Sequence, residues 1–299
     1  MGAGVSYLKC LYRKNMSKRI VVLRLIGGLG NQLFQLQYAH KFIERYGGEL
    51  KIDDSFLAAS KKTHEKIAVQ DLVKNYRFTR LSLFDLNVKR IIEKIYHKIN
   101  IPLPKIFEHE FIFENSKIKV RTQKRLIIDG FWQDKKYLNN CFLEKLKAKI
   151  KSKKLLENIS EIDREIVCVH IRRGDYLSNR NFCLRQQSVL EIDYYKNAFK
   201  FIEKNNIVRK YHVYTDDDEW ARNAFINSPN VDVIDTVNDE PFKVILKMSC
   251  YSVYVIANST LSWWAAVISP ATKKLVVLPK LWFANEPSKK FQLEKWHEI

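Results

Sequence analysis

Residues 19–32 read RIVVLRLIGGLGNQ, and this stretch decides the fold of the first half of the chain. It opens on a run rich in Val, Leu and Ile, which is typical of a buried strand in a parallel sheet. Three glycines follow, and apolar residues then recur at helical spacing over 33–46, before another short strand over 49–52. A strand, a glycine loop, a helix and a strand in this order predict the opening of a Rossmann-like parallel sheet.

The second half of the chain shows the same alternation more plainly. Strands are predicted over 166–171, 211–215, 231–234, 252–257 and 274–278, and helices over 193–204, 219–226, 240–250 and 261–268. Between the halves, segment 53–115 is less regular, and one more short strand is predicted over 127–130. Strands that alternate with helices predict an α/β protein with doubly wound parallel sheets.

These elements predict three segments. Residues 1–18 form an N-terminal extension, residues 19–160 a first Rossmann-like domain and residues 161–299 a second one. Met16 is as plausible a start of translation as Met1, because a strand follows it closely. Ligands are expected in a cleft at the carboxyl ends of the strands, where open parallel sheets bind them.

Composition and charge narrow the classes of function. Hydrophobic residues make up 46% of the chain, which indicates a packed globular protein rather than a disordered one. The five cysteines are far apart and lack the spacing of a zinc or redox site, so reduced thiols are expected. The net charge of +19 attracts polyanions, which leaves open nucleic acid, anionic lipid or a phosphate-bearing substrate.

Lysines are densest over residues 135–154. Leu143, Leu146 and Ile150 recur there at helical spacing, so an amphipathic helix with a basic face is expected. That face is either solvated or in contact with a membrane surface. No run of apolar residues is long enough to span a bilayer.

The glycine loop comes directly after the first strand. Gly27, Gly28 and Gly30 allow backbone N–H groups to approach a ligand, and the helix that starts at Asn31 and Gln32 favours an anion or a developing oxyanion. The spacing differs from that of the dinucleotide fingerprint. The alternative is a tight turn in which Asn31 is the N-cap of the helix.

The motif HIRRGDY, residues 170–176, lies where a buried strand ends. Arg172 and Arg173 are costly to desolvate unless they meet an anion, and a diphosphate accepts bidentate hydrogen bonds from guanidinium groups. The motif therefore predicts a site for a diphosphate leaving group. Asp175 either orients a guanidinium or caps the next turn, and His170 bonds either backbone or phosphate.

The motif YTDDDEW, residues 214–220, also ends a strand and opens a helix. Carboxylates do not bind phosphate directly, so Asp216 and Asp217 either cap the helix or hold ribose or base groups. Asp216 and Asp218 also have the Asp-x-Asp spacing of metal-dependent sugar transferases. Helix capping, nucleotide contact and metal binding all stay open for this motif.

The motif NSTLSWWAA, residues 258–266, is the third such loop. An amide and three hydroxyl groups at a helix N-terminus can cradle a phosphate, and they belong to Asn258, Ser259, Thr260 and Ser262. At least one of Trp263 and Trp264 is expected to pack in the core, and the alternative is stacking on a base or sugar.

Together, GGLGNQ, HIRRGDY and NSTLSWWAA resemble the α1,2-fucosyltransferases of bacterial surface-glycan synthesis, glycosyltransferase family 11. The resemblance covers residues 19–285. Gly130-Phe131-Trp132-Gln133 with Tyr137, the Thr215-Asp216-Asp217 turn, and Pro279 with Trp282 follow in the family's order. The combination is far more specific than any one motif. Pro241 departs from the family pattern, although proline is compatible with the first turn of a helix.

The resemblance implies two facing Rossmann-like domains of the GT-B type. It further implies inverting transfer from GDP-β-L-fucose to the 2-hydroxyl of a galactose-type residue, without cofactor or required metal. The acceptor, a galactose-terminated glycan or lipid-linked oligosaccharide, is expected on the N-terminal domain. The enzyme is expected in the cytoplasm, either in solution or peripheral on the inner face of the membrane, and no nucleic-acid partner is implied.

By motif, the resemblance assigns the diphosphate to Arg172 and Arg173, supported by His170 and Asp175. The other expected donor contacts are Asp216, Asp217, Asn258, Ser259, Thr260, Ser262 and Trp263. Asn31 is a candidate contact to the reacting groups. No motif identifies the general base, and His40, Asp53, Asp54 and Asp134 lie near the motif loops. Two rivals stay open: a metal-dependent transferase, and a basic nucleic-acid-binding protein that lacks a recognised module.

Overall fold

The computed structural model describes residues 19–59, 76–79, 110–113, 125–152, 165–178, 189–204 and 207–299. The chain divides into two compact units, the first over Met1–Gln133 and Tyr137–Phe142, the second over Asp134–Lys136 and Leu143–Ile299. This division falls earlier in the chain than the predicted boundary between residues 160 and 161. The predicted N-terminal extension, residues 1–18, lies outside the described residues.

A parallel sheet forms the centre of the first unit. Its described strands are β1 (Ile20–Arg24), β2 (Glu49–Asp53), β3 (Arg77–Phe78), β4 (Glu110–Phe113) and β5 (Arg125–Asp129). Their spatial order is β3-β2-β1-β5-β4, and all neighbours are parallel. The direction of winding reverses between β1 and β5. The loops that follow these two strands therefore lie at the switch point, where such sheets bind ligands.

Two described helices follow the first strands, α1 (Leu29–Tyr46) and α2 (Ser55–Ala59). Helix α1 buries a continuous apolar face against the sheet and ends where Gly47, at φ 69°, donates its N–H to the carbonyl of Ile43. It begins inside the glycine loop, with Gly28 at the N-cap position. The alternative that Asn31 caps this helix is therefore wrong, because Asn31 already lies in its first turn.

The second unit contains a second parallel sheet. Its strands are β6 (Ile166–Ile171), β7 (Lys210–Thr215), β8 (Val231–Val233), β9 (Val253–Val255), β10 (Leu275–Leu278) and β13 (Trp296–Glu298). Between β10 and β13 the chain forms a separate antiparallel pair, β11 (Leu281–Phe283) and β12 (Glu286–Pro287). The spatial order is β13-β10-β9-β6-β7-β8, and every pair in this sheet is parallel. Here the winding reverses between β6 and β9.

The helices described from residue 140 onward are α3 (Asn140–Ser152), α4 (Gly174–Ser178), α5 (Ile192–Glu203), α6 (Asp218–Ala224), α7 (Pro241–Met248) and α8 (Thr260–Ile268). In the second unit, Val and Ile side chains on one face of the sheet pack against Tyr195, Ala198 and Ile202 of α5. Pro241 is in the first turn of α7, as predicted. Among the described helices, none is both long and apolar enough to cross a bilayer.

The predicted fold class, an α/β protein with two Rossmann-like domains, is confirmed. Each unit contains a parallel sheet, and the spatial order of its described strands reverses at one point. The lysine-rich helix predicted within 135–154 is α3, whose Leu146 and Ile150 are buried while Lys145 is exposed.

Candidate active site

Two buried glutamines of α1 hold the glycine loop through hydrogen bonds to its backbone. Gln35 accepts a hydrogen bond from the backbone N–H of Ile26 (3.1 Å) and donates its amide to the carbonyl of the same residue (3.1 Å). Gln32 donates its amide to the carbonyl of Gly27 (2.8 Å). Both side chains are fully buried. Gln32 therefore holds the loop in place, and it does so from inside the unit.

Asn31 packs tightly against the first glycine of the loop. Gly27 has φ 73°, and a Cβ atom there would lie 2.6 Å from Asn31 Nδ2. Only glycine satisfies both the left-handed backbone and this close approach. On its other side, Asn31 Oδ1 accepts a hydrogen bond from Gln133 Nε2 (2.7 Å). The amide is thus oriented by the loop after β1 and by the loop after β5, the two loops at the switch point.

The loop after β5 has an unusual backbone. Trp132 has φ 57°, a conformation that bulky residues rarely adopt and that costs on the order of 1–3 kcal/mol. The Trp132 ring is buried and stacks on Tyr38, with centroids 3.6 Å apart, while Tyr137 packs edge-on at 5.6 Å. Gln133 belongs to a motif that is visible in the sequence, but the motif alone predicted no role for its side chain. A strained, well-packed loop that ends in the partner of Asn31 is a functional signal.

The four carboxylate and imidazole candidates for the general base all have protein partners. Asp53 is fully buried and accepts hydrogen bonds from the backbone and hydroxyl of Ser55. His40 Nε2 is 2.8 Å from the hydroxyl of Tyr76, and Asp134 pairs with Lys136 at 2.9 Å. Asp54 is buried as well. These contacts support structural roles, so no residue is assigned as the base.

A buried ion pair lies at the carboxyl ends of β1 and β5 in the first sheet. Arg24, at the end of β1, lies with Nη1 3.7 Å from Asp129 Oδ2 at the end of β5, and both side chains are almost fully buried. Asp53 is the register partner of Arg24 on the other side. The register therefore places an aspartate on each of the two strands that neighbour Arg24, and the one that pairs with the guanidinium is Asp129.

In the second unit, the arginine loop after β6 is attached to the loop after β7. Arg172 Nη1 is 3.0 Å from Asp216 Oδ2, and the backbone N–H of Arg173 donates to Asp216 Oδ1 (2.8 Å). A Cβ atom on Gly174 would lie 3.0 Å from the same carboxylate, which leaves little room for a larger residue. Asp216 thus sets the position of the loop that carries both arginines.

The two arginines have different surroundings. Arg173 lies over the ring of Trp220 at 4.0 Å, donates through Nε to Asp217 (3.3 Å) and is 13% exposed. Arg172 is 26% exposed. Arg172 is therefore the more accessible cation at the carboxyl edge of this sheet, and Arg173 is mainly engaged with protein groups. Sequence reasoning missed Trp220, although the motif contained it.

The aspartate motif serves first as a helix start. Asp217 is the N-cap of α6 and accepts a hydrogen bond from the backbone N–H of Trp220 (3.2 Å). The capping interpretation is confirmed for this residue. Asp218 lies 3.7 Å from Arg222, so both aspartates of the Asp-x-Asp spacing, Asp216 and Asp218, pair with arginines. Within the described residues, no group of three or more possible metal ligands is present.

His170 lies at the end of β6, beside the arginine loop, and is almost fully buried. Burial and the nearby charge of Arg172 lower the pKa of His170 to about 4, although Asp216 opposes part of this effect. Its imidazole is therefore neutral near pH 7. Asp175 belongs to the short helix α4, and its side chain lies outside the described part of the chain.

The loop after β9 brings the N-terminus of α8 beside the arginine loop. Ser259 is the N-cap of α8, and its hydroxyl accepts from the N–H of Leu261 (3.4 Å). Thr260, the first helical residue, is half-buried. Tyr176 of α4 donates its hydroxyl to the carbonyl of Asn258 (3.1 Å), which joins the two loops. A helix N-terminus next to an accessible arginine favours an anion.

Three predicted donor contacts of this loop point into the protein. Asn258 is buried and donates to the carbonyl of Trp282 (3.2 Å), and Ser262 donates to the carbonyl of Ser259 (3.1 Å). Trp263 is fully buried with Nε1 bonded to the carbonyl of Phe291 (2.7 Å), and Trp264 is buried too. Core packing therefore applies to both tryptophans, and stacking of Trp263 on a base or sugar does not fit this structure. These side chains hold the loop in place through contacts inside the protein.

Known proteins resemble the chain over most of its length. The family model for glycosyl transferase family 11 matches residues 5–299. The O-antigen biosynthesis glycosyltransferase WbnK of Escherichia coli is 28% identical, over 91% of this chain and 98% of that protein. An alpha-1,2-colitosyltransferase of Escherichia coli is 29% identical, over 94% and 99%.

Solved structures show a weaker resemblance. The fucosyltransferase NodZ from Bradyrhizobium aligns with 14% identity and a TM-score of 0.47, over 84% of this chain and 93% of that one. POFUT1 in complex with GDP aligns with 12% identity and a TM-score of 0.46, over 87% and 98%. The match to the family model spans nearly the whole chain and includes all the loops described above. The chain therefore belongs to glycosyl transferase family 11 and is a glycosyltransferase.

Proposed function

We propose that the protein transfers L-fucose from GDP-β-L-fucose to the 2-hydroxyl of a galactose-type residue, with inversion, in the synthesis of a bacterial surface glycan such as O-antigen. The observation that carries the proposal is the accessible Arg172 beside the capped N-terminus of α8, at the switch point of the second sheet. Two positive groups at this edge suit a diphosphate. The names of the two curated relatives, an O-antigen glycosyltransferase and an α-1,2-transferase, support the pathway and the linkage.

The donor's diphosphate would bind between Arg172 and the first N–H groups of α8. Asp216 holds the Arg172 guanidinium through one nitrogen, and the Arg172 side chain is 26% exposed, so a phosphate can approach it from solvent. Thr260 adds a hydroxyl at the same helix end. As the bond from fucose C1 to the phosphate oxygen breaks, negative charge grows on GDP, and these groups stabilise it. Asp217 and Arg173 would keep the loop in place.

The acceptor is proposed to bind at the first unit. Its 2-hydroxyl oxygen attacks C1 while GDP leaves from the opposite side, and the hydroxyl proton passes to a base. Asn31 is proposed to contact the reacting groups, because two loops of the switch point orient its amide. An amide is a poor base. Asn31 would therefore position and stabilise the reacting groups, and it would not accept the proton of the hydroxyl.

The donor sugar is tested first, because one relative is named a colitosyltransferase. The test supplies purified protein with GDP-fucose, a GDP-linked colitosyl donor or a UDP-hexose, each with a panel of galactose-ended disaccharides. GDP release and product mass are measured, and the linkage is mapped by methylation analysis. We expect fucosyl products linked to O2 of galactose. Exclusive use of another donor, or another linkage, would reject the proposal.

A lipid-linked acceptor would bring the enzyme to the inner face of the membrane, where the basic face of α3 could meet anionic lipid. Lys145 is exposed and Lys147 is partly exposed on this helix, and both flank its buried apolar side at Leu146 and Ile150. Co-sedimentation with vesicles that contain phosphatidylglycerol tests this part of the proposal. Equal recovery with neutral vesicles would remove the membrane contact and leave the transferase chemistry unaffected.

A further inference from the structure

Phe131 is an exposed aromatic residue at the switch point of the first sheet. Its side chain is 43% exposed, although its neighbour Trp132 is buried in the core. The backbone causes this difference, because Gly130 has φ 150° and Trp132 has φ 57°. The loop therefore turns one ring into the protein and the next ring out of it, at the end of β5.

The two residues that follow Phe131 in this loop are firmly attached to the first unit. Stacking on Tyr38 anchors Trp132, with ring planes only 5° apart, and Gln133 donates to Asn31 Oδ1 at 2.7 Å. The exposed apolar ring of Phe131 is thus carried on a fixed loop, two residues before one member of a pair of hydrogen-bonded amides. Rigid aromatic groups next to a few fixed polar groups are the usual composition of a small-molecule site.

This composition suits a neutral sugar. In galactose, several C–H bonds gather on one face of the ring and the hydroxyls lie around its rim, so a flat aromatic ring covers the face while amides bind the rim. A diphosphate fits less well, because the nearby cation Arg24 is buried and paired with Asp129. We propose that Phe131 stacks on the galactose ring of the acceptor, and that the Asn31–Gln133 pair orients its hydroxyls.

The inference rests on the proposed function for the identity of the sugar, and it assigns a specificity-determining residue to that function. The first readout is binding without donor. Saturation-transfer NMR measures contact between the protein and a galactose-ended disaccharide in wild type, Phe131→Ala and Phe131→Trp. We expect a clear signal in wild type, loss in Phe131→Ala and retention in Phe131→Trp, since an indole offers an equivalent flat surface.

The second readout is kinetic. In Phe131→Ala we expect the KM for the acceptor to rise roughly tenfold, with the KM for the donor and the Tm unchanged, because the ring is exposed and contributes little to the core. Ile207→Ala is the matched control, as Ile207 is an exposed apolar residue before β7 in the second unit. It should leave every parameter unchanged.

The outcomes separate the two proposals. A galactoside that binds wild type and Phe131→Ala equally, or binds neither, overturns the acceptor site at Phe131 whatever the donor is. Loss of binding in Phe131→Ala but not in Phe131→Trp supports it, even if GDP-fucose proves to be the wrong donor. Absence of transfer from GDP-fucose in the donor panel rejects the proposed function separately.

Discussion

Asn31 has a position in the structure that makes one substitution informative. Gly28 occupies the N-cap, so an aspartate at position 31 would lie in the first turn of α1, which contains no acidic residue. A negative charge there is favourable to the helix, and Gln133 can still donate to it. We expect Asn31→Asp to keep the Tm and to lower turnover about a hundredfold, because it removes the amide N–H donors that are proposed to contact the reacting groups.

The control for this prediction is Asn223→Asp, in α6 of the second unit, which should change neither the Tm nor turnover. Thermal unfolding and initial rates with GDP-fucose measure both quantities. Full activity in Asn31→Asp would show that Asn31 does not contact the reacting groups and that the glycine loop is only a structural turn. A lower Tm would show that the amide acts mainly through its packing on Gly27.

The buried His170 predicts a pH dependence of stability. Its pKa is about 4 in the folded protein and about 6.5 in the unfolded chain, so only the unfolded chain takes up a proton between these values. The contribution to stability is present above pH 6.5 and is lost as the pH falls towards 4. We expect the free energy of unfolding to drop by about 2 kcal/mol between pH 7 and pH 5 from this residue.

Urea unfolding of wild type and His170→Asn at the two pH values isolates this contribution from those of the other histidines. The variant should lose less stability on acidification than wild type does. Equal losses in the two proteins would show that the imidazole is accessible to protons in the folded state.

Among the structural elements, the alternating strands and helices of the second unit were predicted from the sequence nearly residue by residue. Their signal is strong because each buried strand is a short β-branched run and each helix has one apolar face. Several elements were not predicted, and two features show why. Strand β13 has three residues, too few for periodicity, and is defined by pairing with β10. The start of α1 at Leu29 depends on backbone contacts of Gln32 and Gln35.

The candidate site was predicted at the level of loops but less well at the level of side chains. The motifs identified the loops after β1, β6, β7 and β9, because glycines, adjacent arginines and clustered hydroxyls stand out in a sequence. Whether Trp263 or Ser262 points inward depends on packing against residues far along the chain, such as Phe291. The roles of Gln133 and Trp220 likewise need three-dimensional contacts to be seen.

Arg173 connects the loop after β6 with the start of α6. Its guanidinium stacks on Trp220 and bonds to the N-cap residue Asp217, at 13% exposure. We expect Arg173→Ala to lower the free energy of unfolding by about 1–2 kcal/mol, since a stacked cation and a charge-assisted hydrogen bond are lost together. Arg172→Ala is the matched control, and its pair with Asp216, which is about twice as exposed as Arg173, should contribute less. Urea unfolding that ranks the two variants in the opposite order would contradict these roles.

For the protein as an enzyme, we predict that turnover does not need a metal ion, because protein groups supply the positive charge at the leaving diphosphate. If Arg172 and the N-terminus of α8 neutralise the leaving diphosphate, EDTA should leave most of the turnover intact. The measurement is the initial rate before and after dialysis against the chelator. Loss of activity that manganese restores would instead make Asp216 and Asp218 metal ligands, at the expense of their pairs with Arg172 and Arg222.

The central claim is that the loops at the carboxyl edge of the second sheet bind the GDP portion of the donor. Calorimetric titration of GDP into wild type and Arg172→Ala tests it most directly, because it needs neither acceptor nor turnover. We predict that wild type binds GDP and that Arg172→Ala binds it at least tenfold more weakly at the same Tm, as a charge-assisted contact to phosphate is lost. Equal affinity of the two proteins for GDP, or no binding by wild type, would contradict the account.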